Sequence, residues 1–202
     1  VMQAPKNGFF YVLDALTGRL LSAENFVPVS WASHIDLETG RPVEIPEARY
    51  NETGVPVIVQ PSALGGHNWY PMSFSQKTNL VYLPATENIM GYVAQPEFER
   101  SERGWNTGTD MAQGARLIMA AGENAPERKA YLLAWDPVAQ REVWRQPQLN
   151  PTAAAGVVST AGGLVFQGNA AGEFVAYRDT TPMVKNRFGI AEPCPRFAAH
   201  RH

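Results

Sequence analysis

The stretch that decides the fold reads Lys-Ala-Tyr-Leu-Leu-Ala-Trp-Asp over residues 129–136 and Pro-Val-Ala-Gln-Arg-Glu-Val-Trp over residues 137–144. Aromatic and aliphatic side chains pack well on a pleated surface, so the first run predicts a β-strand. The shorter apolar run that ends at Trp144 predicts a second strand. Short strands separated by turn residues are typical of all-β proteins.

Similar sets of strands occur elsewhere in the chain. Residues 9–21 predict a hairpin in which Asp14 and Gly18 close the turn, because Asp bonds its own backbone and Gly accepts a positive φ. The same Asp-x-x-x-Gly spacing returns at residues 36–40, where we expect a polar loop. Two further sets are expected, one at residues 68–75 and 80–84 and the other at residues 163–168 and 173–177.

The spacing of these sets predicts a β-propeller. Ala134 and Ala176 occupy matching places about 40 residues apart, near the period of propeller blades. Several strands are apolar on consecutive residues, which indicates that both faces are covered, as when blades stack. We count about three blades, fewer than a closed ring needs. The predicted fold class is therefore all-β, a partial β-propeller with uncovered terminal faces.

Composition excludes several classes of partner and site. The net charge of −2 and 18% charged residues leave no basic stripe for nucleic acid. No apolar run approaches the roughly 18 residues that span a bilayer. The single cysteine, Cys194, excludes an internal disulfide, a multi-cysteine zinc site and a Cys-x-x-Cys-His haem attachment.

Several motifs resemble the eight-bladed quinoprotein dehydrogenases that depend on pyrroloquinoline quinone (PQQ). Ala134-x-Asp136-x-x-x-Gln140-x-x-x-Trp144 is similar to their tryptophan-docking repeat, with Gln140 in place of glycine. Longer stretches at residues 3–14, 65–72 and 159–168 resemble the methanol and ethanol dehydrogenase branch of that family. The resemblance covers about residues 2–178 and implies eight-bladed parentage, so we expect this chain to be an incomplete, C-terminal piece.

The resemblance implies six PQQ-contacting residues in this chain. Lys6 matches a basic residue at the reactive carbonyl edge of PQQ, and Asn68 and Trp69 match an Asn-Trp pair that contacts PQQ from a loop. Gly156, Val157 and Val158 match a loop that brings backbone groups toward PQQ. Without the resemblance, Lys6 would be interpreted as a surface lysine, Asn68 as a turn residue and Trp69 as a core aromatic.

Other polar residues in these regions are assigned no catalytic or metal-binding role. We expect His67 to be a solvated loop histidine, and Glu87 and Asn88 to form an exposed turn and not a calcium site. By resemblance, the catalytic aspartate and the calcium (or lanthanide) ligands belong to earlier blades, so no catalytic or metal-binding residue is predicted in this chain.

The predicted organisation has two parts. Residues 1–178 form the blades, with an insertion loop at about residues 88–128 where alternation is lost. Residues 179–202 form an irregular tail rich in Arg, His and Pro, which departs from the family and leads us to hypothesise a frameshift or truncation near residue 179.

The resemblance implies a function for the parent protein. That function is oxidation of a primary alcohol to an aldehyde, in the periplasm, with electrons passing to a cytochrome c or a quinone. Two alternatives remain open for this chain. One is a non-catalytic propeller segment that binds or acts as a scaffold, and the other is a truncated gene product, because a propeller fold does not by itself decide function.

Overall fold

The computed structural model describes residues 1–100, 102–104, 106–148 and 155–189, which divide into two compact units. The first unit comprises residues 1–68 and 86–128, and the second comprises residues 69–85 and 129–202. Strands joined by short turns dominate both units, because apolar residues in these runs pair across hairpins instead of repeating at helical spacing.

The first unit contains one three-stranded sheet, two strand pairs and the helices. The sheet has the order β1-β2-β3, and the pairs are β4-β5 and β6-β9. Its core is formed by Phe9, Ala23, Ala32 and Ile35. The elements are β1 (Met2–Gln3), β2 (Phe9–Leu13), β3 (Leu20–Asn25), β4 (Ala32–Ile35), β5 (Pro42–Glu44), η1 (Pro46–Ala48), α1 (Tyr50–Thr53), β6 (Val57–Val59), β9 (Met90–Tyr92), α2 (Met111–Ala121) and η2 (Gly122–Asn124).

The second unit contains two four-stranded sheets. One has the order β11-β10-β8-β7 and the other has the order β12-β13-β14-β15. Their strands are β7 (Ser73–Ser75), β8 (Leu80–Glu87), β10 (Lys129–Asp136), β11 (Arg141–Pro147), β12 (Val157–Ser159), β13 (Leu164–Gly168), β14 (Glu173–Arg178) and β15 (Val184–Gly189). The last two residues of β8, Thr86 and Glu87, belong to the first unit. Every residue of β8 is buried, as expected of a strand covered on both faces.

Side chains from the two sheets of the second unit form a single core. Leu80, Tyr82, Leu132, Ala134 and Trp144 from the first sheet pack with Val157, Val165, Val175 and Tyr177 from the second. The Trp144 Nε1–H donates to the main-chain oxygen of Asp179 at 3.3 Å, and the Tyr82 hydroxyl donates to the same oxygen at 2.7 Å. Trp144 therefore lies at the contact between the two sheets of the second unit.

Three turns share one construction. In each, one carboxylate oxygen of an aspartate accepts the N–H groups of the residues two and three positions later, as in Asp14 with Leu16 at 3.0 Å and Thr17 at 2.8 Å. Asp36 and Asp136 repeat this pattern. The fifth residue has a positive φ in all three turns, at Gly18, Gly40 and Gln140. The polar loop expected at residues 36–40 is thus the turn of the β4-β5 hairpin.

Residues 88–128, for which an insertion loop was predicted, contain β9, α2 and η2. Asp110 caps the N-terminus of helix α2, because its carboxylate accepts the N–H of Gln113 at 2.9 Å. It packs on β9 through Gly91 and Gly114. A Cβ on either glycine would lie 2.1–2.2 Å from the carbonyl oxygen of the other. This contact with β9 places α2 on the first unit. The local sequence pattern of residues 88–128 does not reveal it.

Strand β15 lies inside the segment predicted to be an irregular tail. It pairs antiparallel with β14, from Glu173 opposite Gly189 to Tyr177 opposite Val184. Residues 184–189 form a strand because the edge of β14 offers free N–H and C=O groups for pairing. The composition of residues 184–189 does not by itself indicate a strand. The remainder of the predicted tail, residues 190–202, lies outside the described residues.

Candidate functional site

Lys6 lies in the turn between β1 and β2, and its side chain is exposed. Its ammonium donates one hydrogen bond to the carbonyl oxygen of Ala63 at 3.2 Å. An ammonium has three N–H donors, so two remain for other acceptors. The lysine is therefore held at one point while keeping the capacity to bind a ligand.

The loop at residues 62–68 is tightly packed against the Lys6 turn. A Cβ on Gly65 would lie 2.6 Å from the Cα, Cβ and Cγ of Lys6, so only glycine allows this approach. The N–H of Gly66 donates to the carbonyl oxygen of Lys6 at 3.0 Å. Two backbone segments that are far apart in sequence are thus fixed to each other at Lys6.

His67 is buried, which corrects the prediction of a solvated loop histidine. Only 7% of the residue is exposed, and Nδ1–H donates to the carbonyl oxygen of Ala4 at 2.6 Å. This hydrogen bond is a third link between the loop and the segment that carries Lys6. The sequence did not reveal it because Ala4 and His67 are separated by 63 positions.

Asn68 is half-buried and belongs to the same loop. Its side-chain amide donates to the carbonyl oxygen of Leu64 at 3.0 Å. The structure therefore brings two of the predicted PQQ contacts, Lys6 and Asn68, to consecutive carbonyl groups of one loop, at Ala63 and Leu64. This arrangement presents side-chain N–H donors from one region of the first unit.

The second unit carries the other predicted contacts. Trp69 is 77% exposed and stacks on Tyr70 with ring centroids 4.3 Å apart, so it is not a core aromatic. The N–H of Val157 donates to the carbonyl oxygen of Pro71 at 3.0 Å, and a Cβ on Gly156 would lie 2.5 Å from the Pro71 ring. Gly156 and Val157 are therefore held beside the segment that begins with Trp69.

Val158 differs from its neighbour. Its side chain is largely exposed, whereas Val157 is buried in the core of the second unit. Successive side chains of a strand point to opposite faces, which accounts for the difference. The resemblance assigns the backbone groups of this segment, and not its side chains, to the contact with PQQ.

The end of β8 and the residue after it are buried, which corrects the prediction of an exposed turn at Glu87 and Asn88. The carbonyl oxygen of Asn88 accepts the N–H of Ser62 at 3.0 Å, at the start of the loop that carries Asn68. Thr86, which the sequence did not single out, bonds to the same loop. Its position within an apolar strand gave no signal of this role.

Within the part of the chain that the structure describes, no group of three or more His, Cys, Asp or Glu side chains could hold a metal ion. Among the same residues, no helix is both long enough and apolar enough to cross a membrane.

Comparison with known proteins finds relatives among the quinoprotein alcohol dehydrogenases that the motifs resemble. The chain is 46% identical over 178 residues to quinohemoprotein alcohol dehydrogenase ADH IIB of Pseudomonas putida, and it covers 24% of that protein. It is 41% identical over 189 residues to the dehydrogenase subunit of alcohol dehydrogenase (quinone) of Komagataeibacter europaeus, covering 25% of it. The resemblance to the quinoprotein alcohol dehydrogenases is confirmed. No family model matches the chain.

A solved quinoprotein structure gives the same result for the fold. Quinohemoprotein alcohol dehydrogenase ADHIIG from Pseudomonas putida HK5 superposes with a TM-score of 0.80 at 39% identity, over 93% of this chain and 28% of that one. The all-β, partial-propeller class predicted from sequence is thereby confirmed. The chain spans about a quarter of the length of these quinoprotein relatives.

Proposed function

We propose that this chain contributes part of the PQQ site of a dehydrogenase that oxidises a primary alcohol to an aldehyde. The observation that carries the proposal is that the side chains of Lys6 and Asn68, which match cofactor contacts of the quinoprotein family, bond to consecutive carbonyl groups of one loop, at Ala63 and Leu64. Trp69, Gly156, Val157 and Val158 complete the proposed set in the second unit.

The residues fit the chemistry of the cofactor. PQQ presents quinone carbonyls and carboxylates, which are hydrogen-bond acceptors. Lys6 has two N–H donors left after its bond to Ala63, and the Asn68 amide donates without carrying a charge. When bound, PQQ supplies the acceptor for the hydride removed from the alcohol. The Lys6 ammonium would stabilise negative charge on the quinone oxygen, as the donors of an oxyanion hole do.

Further features of the parent enzyme enter as part of the same proposal. The general base and the calcium or lanthanide ligands are assigned to no residue of this chain. Electron transfer to a cytochrome c or a quinone and a periplasmic location follow from the family alone. A second candidate is a propeller segment that binds without turnover, because a propeller fold does not by itself decide function.

A PQQ titration with excess calcium, followed by tryptophan fluorescence, tests the proposal. We expect saturable quenching for the unmodified chain and weakening of about tenfold or more in Lys6→Ala, because a hydrogen bond to a charged group contributes about 1.5–3 kcal/mol. Asn68→Ala should weaken binding less. Lys77→Ala removes an exposed lysine from the β7-β8 turn and serves as the matched control.

The outcomes separate the two candidates. Quenching that depends on Lys6, together with dye-linked ethanol oxidation on the same samples, supports a catalytic part. The same quenching without turnover supports the binding segment. Absence of saturable quenching, or equal affinities for Lys6→Ala and Lys77→Ala, contradicts the PQQ assignment.

A further inference from the structure

Thr86 contacts the loop of the candidate site through two hydrogen bonds. It lies near the end of β8 and is only 7% exposed. Its hydroxyl donates to the carbonyl oxygen of Gly65 at 2.9 Å, and its N–H donates to the carbonyl oxygen of Gly66 at 2.8 Å. One residue thus binds two consecutive carbonyl groups of the glycine pair.

That glycine pair is in direct contact with Lys6. Gly65 lies too close to the Cα, Cβ and Cγ of Lys6 to tolerate a Cβ, and the N–H of Gly66 bonds to the Lys6 carbonyl. Gly66 is also blocked on its other side, because a Cβ there would lie 2.5 Å from a methyl group of Val27. A shift of the glycine pair would therefore shift the Lys6 turn.

The same pair leads directly to Asn68, two residues after Gly66. The Asn68 side-chain amide donates to the carbonyl oxygen of Leu64, the residue that precedes Gly65. The position of Asn68 relative to Lys6 consequently depends on the conformation of residues 64–66. The Thr86 hydroxyl is the side-chain donor to the Gly65 carbonyl within this short span.

We propose that Thr86 is a positioning residue whose hydroxyl fixes the Gly65–Gly66 pair and so sets Lys6 and Asn68 in their relative positions. Burial gives the hydroxyl this effect, because a buried carbonyl that loses its donor must turn toward another donor. The relevance to PQQ rests on the proposed function, whereas the contact itself can be tested without cofactor.

Thr86→Val tests the hydroxyl because valine keeps the side-chain shape and removes the donor, and Thr86→Ser is the matched variant that restores it. Lys6 labelling by limiting acetic anhydride is compared with labelling of Lys77 in the same sample. We expect Thr86→Val to raise the Lys6 to Lys77 ratio and to lower protection of the Gly66 amide from hydrogen exchange by about tenfold. Thr86→Ser should stay close to the unmodified chain.

A PQQ titration of the same variants adds the link to the cofactor. Unchanged labelling and unchanged Gly66 exchange in folded Thr86→Val overturn the positioning role, whatever PQQ does. Altered labelling with no PQQ binding by any chain retains the positioning role and contradicts the proposed function. If Thr86→Val does not fold, Thr86→Cys, a weaker donor of similar size, must give a smaller change of the same sign.

Discussion

At the scale of single residues, Asp14 and Asp36 show how a half-buried aspartate can contribute to a hairpin. Hydrogen bonds from the backbone of Thr17, and then from its side chain and from Leu16, lower the pKa of Asp14. Backbone hydrogen bonds from Thr39 and Glu38 lower the pKa of Asp36 in the same way. The fold therefore favours the charged form of both carboxylates.

The lowered pKa values predict a loss of stability in acid. Each carboxylate stabilises the fold fully above its unfolded pKa of about 3.9, and this contribution disappears as pH falls through the lower folded value. We expect the thermal midpoint of Asp14→Asn, which keeps an oxygen acceptor but does not titrate, to fall less steeply below pH ~4 than that of the unmodified chain.

Circular dichroism melts between pH ~2.5 and ~6 measure this difference. Asp36→Asn provides the comparison, and the double variant should combine the two effects because the aspartates lie in separate turns. Identical pH profiles for the unmodified chain and Asp14→Asn would contradict a contribution of the Asp14 carboxylate to the loss of stability in acid.

Residue types alone predicted the turn at Asp14 and Gly18, because its hydrogen-bond partners lie within five residues. For the candidate site, the sequence indicated Lys6 and Asn68 only through the family resemblance. The burial of His67 and the role of Thr86 depend on Ala4 and Gly65, which lie 63 and 21 positions away. Contacts at such separations follow from the fold and not from local sequence pattern.

At the scale of elements, the hairpin β10-β11 carries a local strain that the hairpin β2-β3 avoids. Gln140 has a φ of +51°, where the equivalent residue of the β2-β3 turn is Gly18 with a φ of +72°. Residues with a Cβ are destabilised in this region of backbone conformation by about 1–2 kcal/mol.

Exchanging the residue types tests this difference. We expect Gln140→Gly to raise the free energy of unfolding by about 0.5–1 kcal/mol, since relief of strain exceeds the greater freedom of glycine in the unfolded chain. Gly18→Ala should lower it by about 1 kcal/mol through backbone strain alone, because no atom lies within 4 Å of its Cβ position.

Urea unfolding measures both changes. Gly162→Ala is the control, since its φ is not positive and the nearest atom to its Cβ position lies 3.7 Å away. A destabilised Gln140→Gly would show that the bond from the Gln140 side chain to the Pro137 carbonyl, at 2.8 Å, outweighs the strain.

The strands that the sequence predicted correctly are those whose own run of apolar residues indicates a strand. Strands β2, β8, β10, β13 and β14 were expected because their buried residues form recognisable runs. Helix α2 and strand β15 were not expected. The first packs through a glycine contact and the second pairs with an available strand edge, and neither requires a distinctive pattern of its own.

At the scale of the whole molecule, each unit has a core of its own. Trp144 belongs to the core of the second unit, whereas Phe9 and Ile35 belong to the core of the first. We expect Trp144→Ala to lower stability by about 3–5 kcal/mol, as is typical for removal of a large buried aromatic residue. The loss should be concentrated in the second unit.

Amide hydrogen exchange resolves the two units. Protection of β10, β13 and β14 should fall in Trp144→Ala, with a smaller change in β2 and β3. Trp144→Phe, which keeps the aromatic packing against Tyr82 and loses the bond to Asp179, should cost about 1 kcal/mol. Equal loss of protection in both units would contradict separate cores.

The contact between Gly91 and Gly114 limits how this sequence can change over evolutionary time. Each glycine is blocked by the other's main chain, and every amino acid has a main chain. A substitution at one position consequently has no compensating substitution at the other. In a core of side chains, a larger residue at one position can be compensated by a smaller residue at its neighbour. Gly91 and Gly114 have no such compensation, so replacement of either glycine would displace α2 from β9.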